Sequence, residues 1–534
     1  MTNAINKVAG IPFADVKSIT SVLGSGILKF TGLSFEQTSG GVVETFAWDT
    51  IYTATTNTTH TYITNWIGVA VSNSPNVPSQ MGNVVNAIQR QTLVNAATTF
   101  FNKRTTLTNC YIAEDVQFSG DSMDYAFYDC RYLKSVDHIP NSVTTMHNTF
   151  YNCTNLLSAP NIGESVANMR YSFFSCTRLV NAPVISNSVT TMVNSFFLCT
   201  NLVNAPAIPD SVTVLEGTFG GCYKLVDAPT IGANVTSMAD IFYRCNRLVN
   251  APVLPNSVLS VFNAFQGCSN LVNAPALGPS VTNVGVAFQD CVNLVNAPNI
   301  PDSVTAASLT FWGCTKLVTP PTISNNLTTS YGLFYGCTNL ANAPILPDGL
   351  TDMTSVFLGC TSLVNASVLP ANLVNLANTF TNCTSLVDAP AIPNNVTNMY
   401  STFAGCSNLV NIGIIPDSVT SMQYTFGICT NLVVAPDIPN NVTTLGSVFD
   451  NCSNLITAPA LSSKATNMGS AFKTCVNLIG NITITAPNVS NFTNCFYGCN
   501  ASKAKTLRCL TGSASYNLAM NVCHGKNGVT VAAY

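Results

Sequence analysis

The chain of 534 residues is 47% hydrophobic and only 8% charged, with a formal net charge of −3 at pH 7. This balance disfavours nucleic-acid binding through a basic surface, which requires clustered Lys and Arg. No stretch of about 18 apolar residues runs without polar interruption, so the sequence predicts no membrane span.

Residues 1–26 are predicted to be an N-terminal anchoring segment. Asp15 and Lys17 interrupt its apolar residues, so it lacks the basic start and unbroken apolar run of a secretory signal. Residues 5–11 resemble short segments near the start of many phage virion proteins. That resemblance implies a virion component.

Residues 27–105 are predicted to form a small mixed α+β domain. Apolar and polar side chains alternate in residues 27–30 and 59–69, a pattern typical of strands. Residues 80–103 carry apolar side chains at helical spacing and predict a helix. We expect this domain to cap the region that follows and to bind other virion proteins.

A repeat of 23 residues occupies the centre of the chain. Phe stands three residues before a cysteine, here called position 0, with Leu at +3, Ala-Pro near +6 and +7, Ile or Leu at +9, and Val or Leu at +13. Such a fixed period indicates a solenoid or an array. The cysteines at position 0, separated by a constant step of 23, are Cys130, Cys153, Cys176, Cys199, Cys222, Cys245, Cys268, Cys291, Cys314, Cys337, Cys360, Cys383, Cys406, Cys429, Cys452 and Cys475.

Each repeat is predicted to be a coil and not a helix. Apolar spacings of three and four would suit an amphipathic helix, but Pro at +7 and Pro, Gly or Ser at +10 interrupt it twice per repeat. We expect two short extended stretches joined by a tight corner at sequences such as residues 210–213. Neighbouring coils must stack, since one repeat cannot bury its own Phe, Cys and Leu. At about 4.8 Å per coil, 16 to 17 coils would make a rod on the order of 80 Å long.

The pattern F-x-x-C-x-x-L followed by [IL]-P-x-S-V-T-x-M resembles the BspA-like leucine-rich repeats of microbial surface proteins and phage proteins. The resemblance begins at Phe127, and the solenoid is predicted over residues 106–499, before a C-terminal cap at 500–534. The Ala-Pro before the Ile/Leu-Pro step, as at Ala182 and Pro183, departs from the usual frame. The resemblance implies a β-rich solenoid and a habit of adhesion, in a family without shared catalytic residues.

The cysteines are predicted to be free, buried thiols that fill the core. Stacked Cα atoms about 5 Å apart are within disulfide reach, but parallel Cβ vectors suit the disulfide dihedral poorly. Cys495, Cys499, Cys509, Cys523 and His524 match no common zinc spacing, so we predict no metal and no cofactor.

No catalytic residues are predicted. The four histidines have no evident nucleophile or carboxylate partner, and there is no Gly-rich phosphate loop. Asp210, Asp302, Asp348 and Asp417 share position +11 but never stand in adjacent coils, as a glycosidase pair would require. Turn chemistry explains them adequately.

Two columns of surface residues remain. Asn at +5, as in Asn181 and Asn204, predicts an amide ladder along the solenoid. Position −2 is aromatic mainly in the first half of the chain, so the fold does not require an aromatic there. The aromatic residues, with basic residues at +2 nearby, are Tyr128, Tyr151, Phe174, Phe197, Tyr243, Trp312 and Tyr335, and Arg178, Lys224, Arg247 and Lys316. They are a candidate contact surface for a glycan, a partner subunit or the N-terminal domain, against ordinary packing as the alternative.

The sequence supports two hypotheses of function. One is a phage virion protein, tail-fibre-like or surface-decorating, that binds a host surface or another virion protein. The other is a bacterial cell-surface adhesin, placed outside the cell. Both are non-enzymatic, both allow a homo-oligomer, and a polysaccharide-cleaving enzyme is a more distant third.

Overall fold

The computed structural model describes residues 122–534, except 137, 140 and 142, and the backbone of short strands between residues 7 and 112. The chain divides into two compact units, residues 1–258 and 259–534, which are described separately as unit 1 and unit 2.

Unit 1 begins with two groups of strands. A two-stranded antiparallel ribbon precedes a six-stranded sheet that runs in the order β3-β4-β5-β6-β7-β8. The sheet is antiparallel from β3 to β6 and parallel from β6 to β8. The strands are β1 Lys7–Val8, β2 Ile11–Pro12, β3 Ser18–Val22, β4 Ile27–Thr31, β5 Ile51–Thr56, β6 Thr61–Asn65, β7 Asn109–Ile112 and β8 Ser135–Val136. Strands β4, β5 and β6 lie where alternation predicts strands; the helix predicted at 80–103 and the virion contacts predicted for this domain lie outside the described residues.

The 23-residue repeats of both units are coils stacked in parallel. Each coil has two positions that form isolated parallel bridges with the next coil, at +5 and at +15, as in Asn181 with Asn204 and Asn168 with Thr191. The Pro at +7 is compatible with this arrangement because each coil needs only brief extended segments. The expected coil with two extended sides is therefore what the repeat forms.

A second set of contacts joins the coils just before each cysteine. The Phe150 N–H donates to the Ser172 carbonyl and the Asn152 N–H to the Phe174 carbonyl, each at 2.7 Å. Residues at −5 and −1 adopt positive φ, such as Asn148 at 55° and Asn152 at 59°. Asn, Asp and Gly tolerate this left-handed conformation best, which explains their frequency at both positions.

A column of phenylalanines forms the core of each unit. Successive Phe rings at −3 stack with centroids 5.1–5.9 Å apart in unit 1. In unit 2 the spacing is 5.4–5.9 Å. The Leu at +3 and the Cys at position 0 beside them are fully buried. Each coil thus covers the apolar residues of its neighbours, as expected for a solenoid.

Unit 2 ends in a three-stranded parallel sheet and one helix. Strands β9 (Gly480–Ile484), β10 (Lys505–Cys509) and β11 (Val529–Ala533) run in the order β11-β10-β9. Helix α1 spans Ala514–Val522, and the Ser513 side chain caps its start by accepting a hydrogen bond from the Tyr516 N–H.

Candidate functional site

Four aromatic residues of unit 1 that the sequence singled out form one continuous stack. The rings of Tyr128 and Tyr151 lie 4.8 Å apart, those of Tyr151 and Phe174 4.7 Å, and those of Phe174 and Phe197 5.3 Å. Their planes are within 13° of parallel, so neighbouring rings cover each other's faces. All four residues are half-buried, and the stack therefore presents mainly ring edges to solvent.

The stack ends over a glycine. A Cβ atom on Gly220, which holds the −2 position of the next coil, would lie 2.5 Å from the Phe197 ring. Tyr243 follows one coil later, and its ring carries the Arg244 guanidinium at 5.1 Å from the centroid. Gly220 thus separates Tyr243 from the four stacked rings.

A second row of rings, which sequence reasoning missed, lies beside the stack. The His147 ring is 5.4 Å from Tyr125 and 6.1 Å from Tyr171, at interplanar angles of 67° and 55°. Tyr125 also approaches Tyr128, and Tyr171 approaches Phe174, at 5.8 and 5.9 Å. These rings are tilted and do not cover one another's faces. We call the seven residues of both rows the aromatic surface: Tyr125, Tyr128, His147, Tyr151, Tyr171, Phe174 and Phe197.

The coil geometry positions the second row. Tyr125 and Tyr171 occupy the left-handed −5 position, with φ of 60° and 54°. Asn148 takes the same position in the intervening coil, and its side chain lies 2.8 Å from His147 Nε2. An amide donor toward Nε2 leaves the proton of a neutral imidazole on Nδ1. Tyrosine is a costlier residue than Asn in this conformation.

The electrostatics around His147 favour its neutral form. Burial lowers the pKa of His147, the Asp124 carboxylate opposes that shift, and the Arg170 guanidinium adds to it. Asp124 Oδ1 accepts hydrogen bonds from the His147 backbone N–H at 2.7 Å and the Thr145 hydroxyl at 2.8 Å. The Asp124 carboxylate therefore helps to hold this coil in place.

The remaining predicted site residues are dispersed. In unit 2, the rings of Trp312 and Tyr335 meet edge to face at 5.1 Å. The basic residues at +2 are all exposed, namely Arg178, Lys224, Arg247 and Lys316. Arg178 donates a hydrogen bond to Asn155 Oδ1 at 3.0 Å.

The aspartates at +11 act as turn residues. The carboxylates of Asp210, Asp302 and Asp348 accept hydrogen bonds from backbone N–H groups of the next coil, at 2.7, 2.9 and 3.0 Å. This use of the carboxylate supports turn chemistry over a catalytic pair. The Asn column at +5 forms the expected ladder: Asn204 Nδ2 donates to Asn181 Oδ1 at 2.9 Å, and Asn365 Nδ2 to Asn342 Oδ1 at 2.7 Å.

The thiols at position 0 are free and buried, as predicted, and they also make a contact that the sequence did not indicate. The Cys153 thiol donates to the Phe127 carbonyl of the preceding coil at 3.0 Å, and Cys314 donates to Phe288 at 3.1 Å. Burial raises the pKa of these thiols; that of Cys406 rises to about 12. The cysteine is therefore both an apolar filler and a hydrogen-bond donor.

The C-terminal cysteines have separate structural positions. Cys499 continues the thiol column by donating to the Phe472 carbonyl at 3.1 Å. Cys495 takes the −4 position, where other coils often place Ser or Thr. His524 Nδ1 accepts the Val531 N–H at 3.0 Å. Within residues 122–534 as described, no group of three or more His, Cys, Asp or Glu could hold a metal ion. No helix in the described part of the chain is long and apolar enough to cross a bilayer.

Stacked 23-residue coils with a buried Leu and a Phe column define a leucine-rich repeat solenoid. The chain matches the family described as BspA type leucine rich repeat region (6 copies) over residues 95–226, 236–364 and 376–503. It belongs to this family, which typically comprises non-enzymatic binding proteins.

Three solved structures resemble the chain. A leucine-rich repeat protein from Bacteroides ovatus ATCC 8483 is 23% identical, with 73% of this chain and 93% of that one covered and a TM-score of 0.46. A leucine rich cell surface protein from Faecalibacterium prausnitzii A2-165 is 22% identical, with 72% and 94% covered and a TM-score of 0.35. A leucine-rich repeat protein from Eubacterium ventriosum ATCC 27560 is 14% identical, with 74% and 90% covered and a TM-score of 0.32. No curated protein sequence matches the chain.

Proposed function

We propose that this chain is a non-enzymatic adhesin of the bacterial cell surface and that its aromatic surface contacts a glycan. The observation that carries the proposal is the gathering of seven aromatic side chains within four coils of unit 1. The corresponding −2 position holds Thr381, Ala404 and Gly427 in later coils, so a coil of this repeat folds without an aromatic residue there. Selection for contact explains the cluster better than a requirement of packing.

The chemistry of the surface favours a glycan. The tilted rings of Tyr125, His147 and Tyr171 are not stacked on one another, so their faces can take the apolar face of a sugar. Tyrosine hydroxyls supply hydrogen bonds at the edge. Asp124 and Arg170 flank the rings and oppose each other in sign, so the surface has little net charge.

The family supports a binding role, and the composition agrees with an extracellular solenoid. The F. prausnitzii protein is described as a cell surface protein; the location proposed for this chain is the same, but it rests on the family match and not on that likeness. The virion hypothesis gains no support from the comparisons, none of which indicates a phage.

Binding of the purified full chain to an array of host and bacterial glycans tests the aromatic surface. The double variant Tyr125→Ala/Tyr171→Ala should lose at least about tenfold in affinity, as expected for removing two aromatic anchors. Tyr331→Ala, a 51% exposed tyrosine in unit 2, is the matched control and should bind like the wild type. Equal binding by both variants would contradict the contact, and cleavage of a bound glycan would contradict a non-enzymatic role.

Protease treatment of intact bacteria tests the location. Release of peptides from the solenoid at the cell surface is the expected result. Complete protection, or recovery of the chain with purified phage particles, would overturn the proposed location.

A further inference from the structure

Unit 2 carries an exposed face made of aliphatic side chains. Its members stand at positions +4, +5 and +8 of the coils from Cys337 onward. We call them the aliphatic face: Ile345, Val364, Val368, Val387, Val410, Ile414, Val433, Val434, Ile456 and Ile479. Single exposed aliphatics are normal on a soluble protein, but a contiguous set marks an interaction surface.

Backbone contacts show that the face is contiguous. The N–H groups of Val364, Val410 and Ile456 donate to the +4 carbonyls of their preceding coils at 3.0, 2.9 and 3.0 Å. Adjacent coils therefore keep their +4 side chains about one strand spacing apart. The aliphatic residues form rows along unit 2 as a direct result of the repeat.

The face has relief. The +8 residues Ile345, Val368 and Ile414 are 86–90% exposed, whereas the +4 residues from Val364 to Val433 are 40–48% exposed. A protruding row thus runs beside a lower row. A surface with this profile is complementary to its own copy turned by a two-fold axis, because each protruding row can rest on the lower row of the other.

The charge and size of the face also suit a second copy. Positions +4 to +8 of these coils contain no Lys, Arg or His and only two carboxylates, Asp388 and Asp437. Asp388 already accepts a hydrogen bond from the Asn411 amide. Without basic residues, the face has no electrostatic attraction for anionic lipid. Seven coils at about 4.8 Å and five residues at about 3.3 Å give a face of roughly 30 by 15 Å. That is about half of the roughly 800 Å² per partner in a stable interface, which suits an apolar core within a polar rim.

We propose that the aliphatic face is a homodimer interface, in which the +8 row of one copy packs against the +4 row of its partner. This arrangement is independent of the aromatic surface in unit 1. Burial of the protruding +8 side chains supplies the driving force, and the Asn and Thr side chains of neighbouring columns form the rim.

Sedimentation equilibrium of the full chain at tens of micromolar tests the proposal. The wild type should sediment as a dimer, and Val368→Lys and Ile414→Lys should each weaken dimerisation at least about tenfold. Both side chains are almost fully exposed, so neither change disturbs the core. Val374→Lys is the matched control, because Val374 belongs to the same coil as Val368 but stands at +14, and it is 41% exposed.

Two outcomes would overturn the proposal. One is a wild-type chain that remains monomeric at this concentration, which would leave the face to a different partner. The other is a dimer that all three lysine variants weaken equally or not at all. A dimer lost in the Val368 and Ile414 variants and kept in the Val374 variant would establish the interface.

Discussion

The thiol of Cys383 donates a hydrogen bond to the carbonyl oxygen of Phe357, 3.1 Å away and one coil earlier. The same pairing recurs along both units, so each coil is bound to its predecessor through a buried sulfur. A serine would be more polar and an alanine would be smaller, and neither reproduces both properties of the thiol.

Replacing Cys383 by alanine should therefore destabilise the protein by about 2 kcal/mol. The change leaves a small cavity and an unsatisfied buried carbonyl, each costing on the order of 1 kcal/mol. Urea denaturation followed by circular dichroism measures the loss. Cys383→Ser, which retains a donor, should cost less than alanine; a larger cost for serine would mean that apolar filling outweighs the hydrogen bond.

Stability should fall when the pH is lowered through the range in which His147 titrates. The folded pKa of His147 is lowered by burial, so the unfolded chain binds this proton first as the pH falls. The contribution of His147 is complete above the ordinary value of 6.5 and is lost progressively below it. Melting temperatures at pH 7.5 and 5.5 should differ more for the wild type than for His147→Gln. Equal differences would show that other groups dominate.

Substituting Gly220 by alanine should destabilise unit 1 by about 1–3 kcal/mol, because the new methyl group would clash with the Phe197 ring. Thermal unfolding of Gly220→Ala, Phe197→Ala and the double variant tests this reason. The double variant should lose less than the sum of the two single losses, since removal of the ring also removes the clash. Strict additivity would contradict the close contact.

Ile428 is strained, and its replacement by asparagine should stabilise unit 2 by about 1 kcal/mol. Its φ is 62°, a left-handed conformation that β-branched residues avoid and that Asn382 and Asn451 adopt at the same −1 position. Ile428 is 40% exposed, so little burial is lost. The reciprocal change, Asn451→Ile, should destabilise by a similar amount. Denaturation midpoints that move in the opposite directions would exclude strain as the cause.

The repeat explains which features could be predicted from sequence. A residue that recurs every 23 positions must meet its own kind in a stacked coil, so the Phe column, the buried thiols and the Asn ladder follow from spacing alone. Tyr125, His147 and Tyr171 were missed because their positions carry no recurring aromatic; Asn148 and Asn194 occupy −5 in neighbouring coils. The four stacked rings show a different limit, since composition indicates aromatic residues but not whether they expose faces or edges.

The C-terminal cysteines illustrate the effect of one inserted residue. The interval from Cys475 to Cys499 is 24 residues instead of 23, and Cys495 consequently lies at a position that is Ser or Thr elsewhere. The structure absorbs the extra residue between Leu478 and Val489, where β9 forms, and restores the Phe stack at Phe496. A strict count from the preceding cysteines could not locate that shift.

The way in which the coils bind each other has an evolutionary consequence. In unit 2, a coil offers its successor the same carbonyls, the same ring and the same sulfur whatever its place in the series. Unequal recombination that adds or removes whole repeats would thus keep every remaining junction intact, and natural variants of this protein should differ in length by multiples of one coil.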